Sequence, residues 1–166
     1  AAQSQNQLAT AASVGAPPGK QVLFGDFHVH TTFSFDAFMM NLPMAGGAGS
    51  RPPSDACDFA RYCSGLDFWS INDHGIALTP DRWAQTVDTM RQCNAISGDS
   101  SNPDTVAYLG WEWTQVGWVP EDHWGHKNVI IRDLDDANIP ARPITAGFPP
   151  GTPSLEETTP SPFLIG

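Results

Sequence analysis

Four stretches of this chain carry the short apolar runs of β-strands: residues 21–30 (QVLFGDFHVH), 66–72 (LDFWSIN), 105–114 (TVAYLGWEWT) and 126–132 (HKNVIIR). Two other stretches repeat apolar residues at helical spacing. Ser54 or Asp55 can cap a helix over 55–64, which Gly65 ends. Pro80 opens a second helix over 79–96, with Trp83, Val87, Met90 and Ile96 as its apolar stripe. Residues 38–54 are rich in Gly, Pro and Met and read as a loop, a candidate flap, and 97–104 (SGDSSNPD) reads as another. Residues 1–20 show no periodicity and read as a disordered lead. From Asp133 the chain turns Pro-rich and is expected to run over the surface. The alternation of strands and helices predicts an α/β fold with parallel strands, built from βα units. A closed parallel barrel takes roughly 250 residues. Four strands in 166 residues therefore predict a partial barrel over 21–166, incomplete at its C-terminal end, with exposed apolar edges.

Charge narrows the partners. The chain carries 8 Lys and Arg against 18 Asp and Glu, a formal net charge of -10. That argues against nucleic acid, whose phosphates need a positive surface. It leaves an anionic small molecule open, because bound divalent cations reverse the local field. No run approaches the roughly 18–20 apolar residues of a membrane span. Residues 1–20 lack the charged and apolar regions of a signal peptide but could be what remains after one is removed, so export to a periplasm or beyond is one expectation. Cys57, Cys63 and Cys93 are odd in number and lack metal-binding spacing. Cys57 and Cys63 read as small buried apolar residues, and a disulfide between two of the three is left open.

The candidate chemistry gathers at the ends of the predicted strands. His28 and His30 stand two apart on a strand that reads as buried, so both project to one face while Phe27 and Val29 point into packing. Asp36 follows a short polar turn. Asp73-His74 ends the second strand candidate, Glu112 lies in the third, and His123-x-x-His126 precedes the fourth. Each is ordinary alone, since a single buried histidine is more often a satisfied polar group than a ligand. Together they take in all 5 histidines. Glu112 sits between Trp111 and Trp113 with few Lys or Arg nearby, and a buried carboxylate needs a cation. His and carboxylate ligands without Cys suit Zn, Mn or Fe. A glutamate bridging two metals suits hydrolysis by metal-activated water. Trp69 and Trp83 read as core. Trp113, Trp118 and Trp124 could wall a pocket or simply pack. Lys127 would point away from His126 on a strand.

The spaced motifs Phe24-Gly25-Asp26-Phe27-His28-Val29-His30-Thr31, Ser34-Phe35-Asp36-Ala37, Asp73-His74, Gly110-Trp111-Glu112-Trp113-Thr114 and Gly125-His126-Lys127-Asn128-Val129 resemble the PHP (polymerase and histidinol phosphatase) superfamily of metal-dependent phosphoesterases, and more closely its PHP-like family DUF3604. The resemblance implies a distorted (β/α)7 barrel with two or three divalent metals at the C-terminal ends of its strands. By it, His28 and His30 hold one metal, which Glu112 bridges to a second held by His126. Asp36, where many members carry His, and His74 hold the third. Asp73 is implied to orient a ligand or metal-bound water, which makes Asp73 and Glu112 the expected catalytic residues. His123 has no counterpart and reads as a rim residue. The superfamily closes its site with a late Asp-x-His. This sequence has no histidine after His126, and Asp133, Asp135 and Asp136 do not match that motif. The resemblance implies a metal-dependent hydrolase of small molecules, most simply a phosphoesterase. The alternatives are an amidohydrolase-like or lactone hydrolase, or a partial metal-binding domain without catalysis.

Overall fold

The structure is a computed structural model that describes residues 5–15, 22–117 and 119–145. Helix α1 (Gln5–Ser13) lies in the lead where the sequence has no apolar period. Then follow β1 (Gly25–Val29), α2 (Phe35–Asn41), α3 (Pro53–Asp58), β2 (Phe68–Ile71), α4 (Pro80–Ala95), β3 (Val106–Gln115) and β4 (Gly125–Ile131). The strands form one sheet in the order β1-β2-β3-β4. It is a mixed α/β arrangement in which β1, β2 and β3 run parallel, as expected.

β4 corrects the expectation of parallel strands. It pairs antiparallel with β3 from Leu109↔Ile131 to Gln115↔Gly125. The reason is the connection. A parallel return needs a crossover of a dozen or more residues, and here β3 ends at Gln115 and β4 begins at Gly125, with a 3₁₀ turn at Pro120–Asp122 between them. The sheet curls until its two edges meet, where Asn128 Nδ2 donates to the carbonyl of Phe27, 2.8 Å away.

Alternation on β3 decides which side is core. Ala107, Leu109 and Trp111 point to one face and are buried against α4, with Trp69 and Ile71 of β2 and Trp83, Val87 and Met90 of α4. Thr79 caps α4 by accepting from the N–H of Arg82 (3.3 Å), and Pro80 fills its first turn. Asn94 then fastens α4 to β3 in both directions, donating to the Ala107 carbonyl (2.8 Å) and accepting its N–H (2.9 Å). Ile96, expected in the apolar stripe, lies beyond the last turn and is exposed.

Three further expectations change. The stretch read as a loop over 38–54 contains most of α2 and a 3₁₀ turn at Pro43–Ala45. The predicted helix over 55–64 begins at Pro53 and widens into a π turn over Phe59–Cys63. Cys57 is buried and joined to Cys93 in a disulfide between α3 and α4, whereas Cys63 is a free, exposed cysteine rather than a buried one. Arg61 backs this junction, donating to the Cys93 carbonyl (2.8 Å) and pairing with Asp104 (2.8 Å). The segment after β4 is held to the body as far as Thr145. The indoles of Trp83 and Trp111 donate to the carbonyls of Pro140 (2.9 Å) and Ile144 (3.0 Å).

Candidate metal centre

The site forms where β1, β2 and β3 end and β4 begins, on the sheet face away from α4. β3 supplies its centre. Glu112 and Thr114 share a face with Gly110, and Gly110 lets the sheet close tightly behind them. A Cβ there would lie 2.5 Å from the Val129 carbonyl and 2.8 Å from Ser70 Oγ. Cross-strand register brings Asn128 opposite Glu112 and His126 opposite Thr114.

Glu112 is 3 % exposed and meets four imidazoles. Its Oε2 lies 2.9 Å from His30 Nε2, 3.5 Å from His28 Nε2 and 3.5 Å from His74 Nδ1, and its Oε1 contacts His126 Nδ1. Asp36 Oδ2 lies 3.2 Å from His74 Nε2, on that ring's other side, and Asp36 Oδ1 lies 3.9 Å from His30 Nδ1. Three overlapping groups of donors result: His28–His30–Glu112, His30–Asp36–His74 and His74–Glu112–His126, the atoms of each within 4.8 Å of one another. Any two groups share one residue. All donors are nitrogen or oxygen, the set that suits Zn, Mn or Fe, and each group could hold a metal ion.

The other members are placed by their backing. His28 and His30 stack, with ring centroids 4.8 Å apart. Their Nε2 atoms lie 3.0 Å from each other. Ser34, fully buried, accepts the His74 N–H (2.9 Å) and faces His30 Nδ1 (2.9 Å), so one hydroxyl ties the segment after β1 to the end of β2. Ser34 precedes α2 but makes no side-chain cap to it. Asp73 is also fully buried and lies outside the three groups. Its two oxygens accept the N–H (2.6 Å) and hydroxyl (2.7 Å) of Thr31, which fixes the backbone just after His30.

Burial chiefly, then the neighbouring His74, holds His30 below the ordinary histidine value, against the opposite pull of Asp73, Glu112 and Asp36. For Asp36 burial pushes upward, but hydrogen bonds from the Ala37 N–H and from His74, with the charges of His74 and His30, leave it below the ordinary carboxylate value.

The strand that reads as buried in the sequence is an exposed edge. Phe27 packs on Phe68 (4.8 Å) and Tyr108 (5.8 Å) yet stays 43 % exposed. His28 and His126 are half-exposed, so the cluster opens to solvent on their side. His123 stands apart, lining a shallow depression with Gly117, Val119 and Pro120. Lys127 turns away from the cluster, as the strand period requires, and lies over the Trp113 ring at 5.3 Å. Trp124 is exposed, and Trp118 lies outside the described residues. Sequence reasoning gave no role to Thr114 or Asn128. Thr114 was findable, since it stands two residues after Glu112 on the same strand face. Asn128 was not, because its place follows from the antiparallel turn of β4.

Residues 17–78 match the family model described as protein of unknown function (DUF3604). That span carries His28, His30, Asp36, Asp73 and His74, and it supports the DUF3604 resemblance there. Glu112 and His126 lie beyond it. No curated protein and no solved structure matches the chain.

Proposed function

We propose that this chain carries the cluster of a metal-dependent hydrolase of the PHP type, most simply a phosphoesterase acting on a small anionic molecule. The observation behind the reading is Glu112, a carboxylate withdrawn from water whose ion-pair partners among the described residues are all imidazoles. Such a carboxylate is costly unless compensated. Two or three divalent cations would compensate it and would supply a lowered water pKa and positive charge for the oxygens of the reaction.

In this reading His28 and His30 would hold one cation, His126 a second and Asp36 with His74 a third, with Glu112 the carboxylate that would serve the first two. Asp73 acts through Thr31, holding the His30 backbone in register. No side-chain nucleophile is involved. The second reading is a metal-binding domain without turnover of its own, for which the three donor groups alone would suffice.

Metal analysis of the purified protein, then assay of a phosphomonoester with Mn²⁺ or Zn²⁺, tests the proposal. The expected result is two to three bound equivalents and turnover, both lost in Glu112→Gln. Metal without turnover on any ester selects the second reading. Turnover of lactones but not phosphoesters would move the assignment to a lactone hydrolase. Absence of metal from the parent and His28→Ala alike would overturn the whole proposal.

A further inference from the structure

The disulfide between α3 and α4 has a guanidinium standing against it. Arg61 Nη1 lies 3.3 Å from Cys57 Sγ and 4.0 Å from Cys93 Sγ. The Arg61 side chain is 4 % exposed, and both cysteines are buried. Its other donors are engaged elsewhere, Nε with Asp104 Oδ2 (2.8 Å) and Nη2 with the Cys93 carbonyl (2.8 Å). Neither of those bonds uses a sulfur, so they hold the guanidinium in place whether the S–S bond is closed or open. Nη1 is different. Among the described residues the two sulfurs are its only acceptors, and a neutral sulfur accepts weakly. A thiolate in the same place would take a charge-assisted hydrogen bond, and a neighbouring arginine favours the thiolate. Asp104 offsets part of the guanidinium charge, but its side chain is half-exposed and screened by water. Arg61 therefore holds the reduced pair more tightly than the oxidised pair, which shifts the equilibrium toward reduction.

We infer that Cys57–Cys93 is a dithiol–disulfide switch whose reduced state Arg61 stabilises as a Cys57 thiolate. The reductant is a dithiol. One of its thiolates attacks Cys93 Sγ, and the S–S electron pair leaves on Cys57 Sγ, the sulfur nearer Arg61. Its second thiol then displaces Cys93, which takes up that thiol's proton. The reductant departs as its own disulfide, and the protein has gained two electrons. Because both sulfurs are buried, exchange follows local opening of α3. The switch acts through that helix. Cys57 lies in α3, and just before α3 the Arg51 carbonyl accepts the Thr32 N–H at 2.9 Å. Thr32 stands between His30 and Asp36 in the chain. Opening the bond frees α3 from α4 and slackens the segment that carries Asp36. The inference goes beyond the hydrolase reading and does not depend on it.

The test uses Cys63→Ser as the parent, so that Cys57 and Cys93 are the only cysteines. Equilibration in dithiothreitol redox buffers, with thiols counted by alkylation and mass spectrometry, gives the oxidised-to-reduced ratio. Arg61→Met, which keeps the apolar stem and removes the charge, should shift that ratio about 10–100-fold toward the disulfide, the worth of a hydrogen bond to a charged group. The reduced parent should show thiolate absorbance at about pH 7, below the ordinary cysteine value of about 8.5, with Cys57 alkylated faster than Cys93. Reduction should also speed hydrogen exchange at the Thr32 amide while the β3–β4 amides stay protected. Equal ratios in the parent and Arg61→Met overturn the inference. So does a reduced parent without a thiolate at that pH, even if Arg61→Met fails to fold. Loss of β3–β4 protection on reduction would make the bond a staple and overturn the switch, and an unchanged Thr32 amide would overturn its link to the Asp36 segment.

Discussion

Asp73 shows how a fully buried carboxylate can serve a site from outside it. Both its oxygens are taken by Thr31, 42 positions earlier in the chain. Removing one partner of such a buried, charge-assisted pair leaves the other unsatisfied. Asp73→Asn should cost about 2–3 kcal/mol in urea unfolding and loosen His30, whereas Asp36→Asn, at a more exposed residue, should cost little. The His30 shift gives a pH dependence with a definite sign. Its folded value lies below the ordinary 6.5, so the folded state binds that proton less readily than the unfolded chain. The stability it contributes is full above pH 6.5 and is lost as pH falls through the folded value. Urea midpoints of the metal-free protein should therefore decline as pH is lowered from 7 toward 5, and less steeply in His30→Gln. At this scale the sequence was most legible. His28, His30, Asp36, His74, Glu112 and His126 come together because strand period and the order of the motifs are local facts. The hydroxyl of Ser34 and the amide of Asn128 were illegible as partners, because their roles exist only after distant strands have paired.

Helix α4 and strand β3 are the elements on which the others depend. Met90 is fully buried between them, Asn94 bonds across them, and the Cys57–Cys93 disulfide brings α3 alongside. The disulfide spans a sequence separation of 36. Loop-closure entropy for that length gives about 3–4 kcal/mol. Cys57→Ser with Cys93→Ser should lower unfolding stability by about that amount, and a reductant should lower the parent to the same level, as thermal melts would show. Such a bond persists in oxidising surroundings. The elements read from sequence fall within a few residues of those observed for β2, α4, β3 and β4, whose apolar pattern is strong. α2 escaped notice because it is one short, largely exposed helix beside Gly- and Pro-rich chain. The direction of β4 escaped because it depends on the length of a connection and not on the composition of the strand.

Across the whole molecule the two faces of the sheet differ. One is covered by α4, and the other carries the cluster with Phe27 and Ile130 partly exposed beside it. The contact between Asn128 and His28 Nδ1, 3.1 Å long and 100 positions apart, joins the first strand to the last. Its consequence concerns time. Closing a loop of that length costs about 4 kcal/mol of chain entropy, which the local α4–β3 contacts do not face. The donor groups are thus scattered in the unfolded chain and converge only after the sheet has curled enough for β4 to approach β1. Cation capture should be a late event of refolding. In stopped-flow refolding, the buried Trp69 and Trp83 should report compaction first, and release of a metal-bound indicator dye should lag behind them. Simultaneous traces would mean that the imidazoles gather before the sheet does.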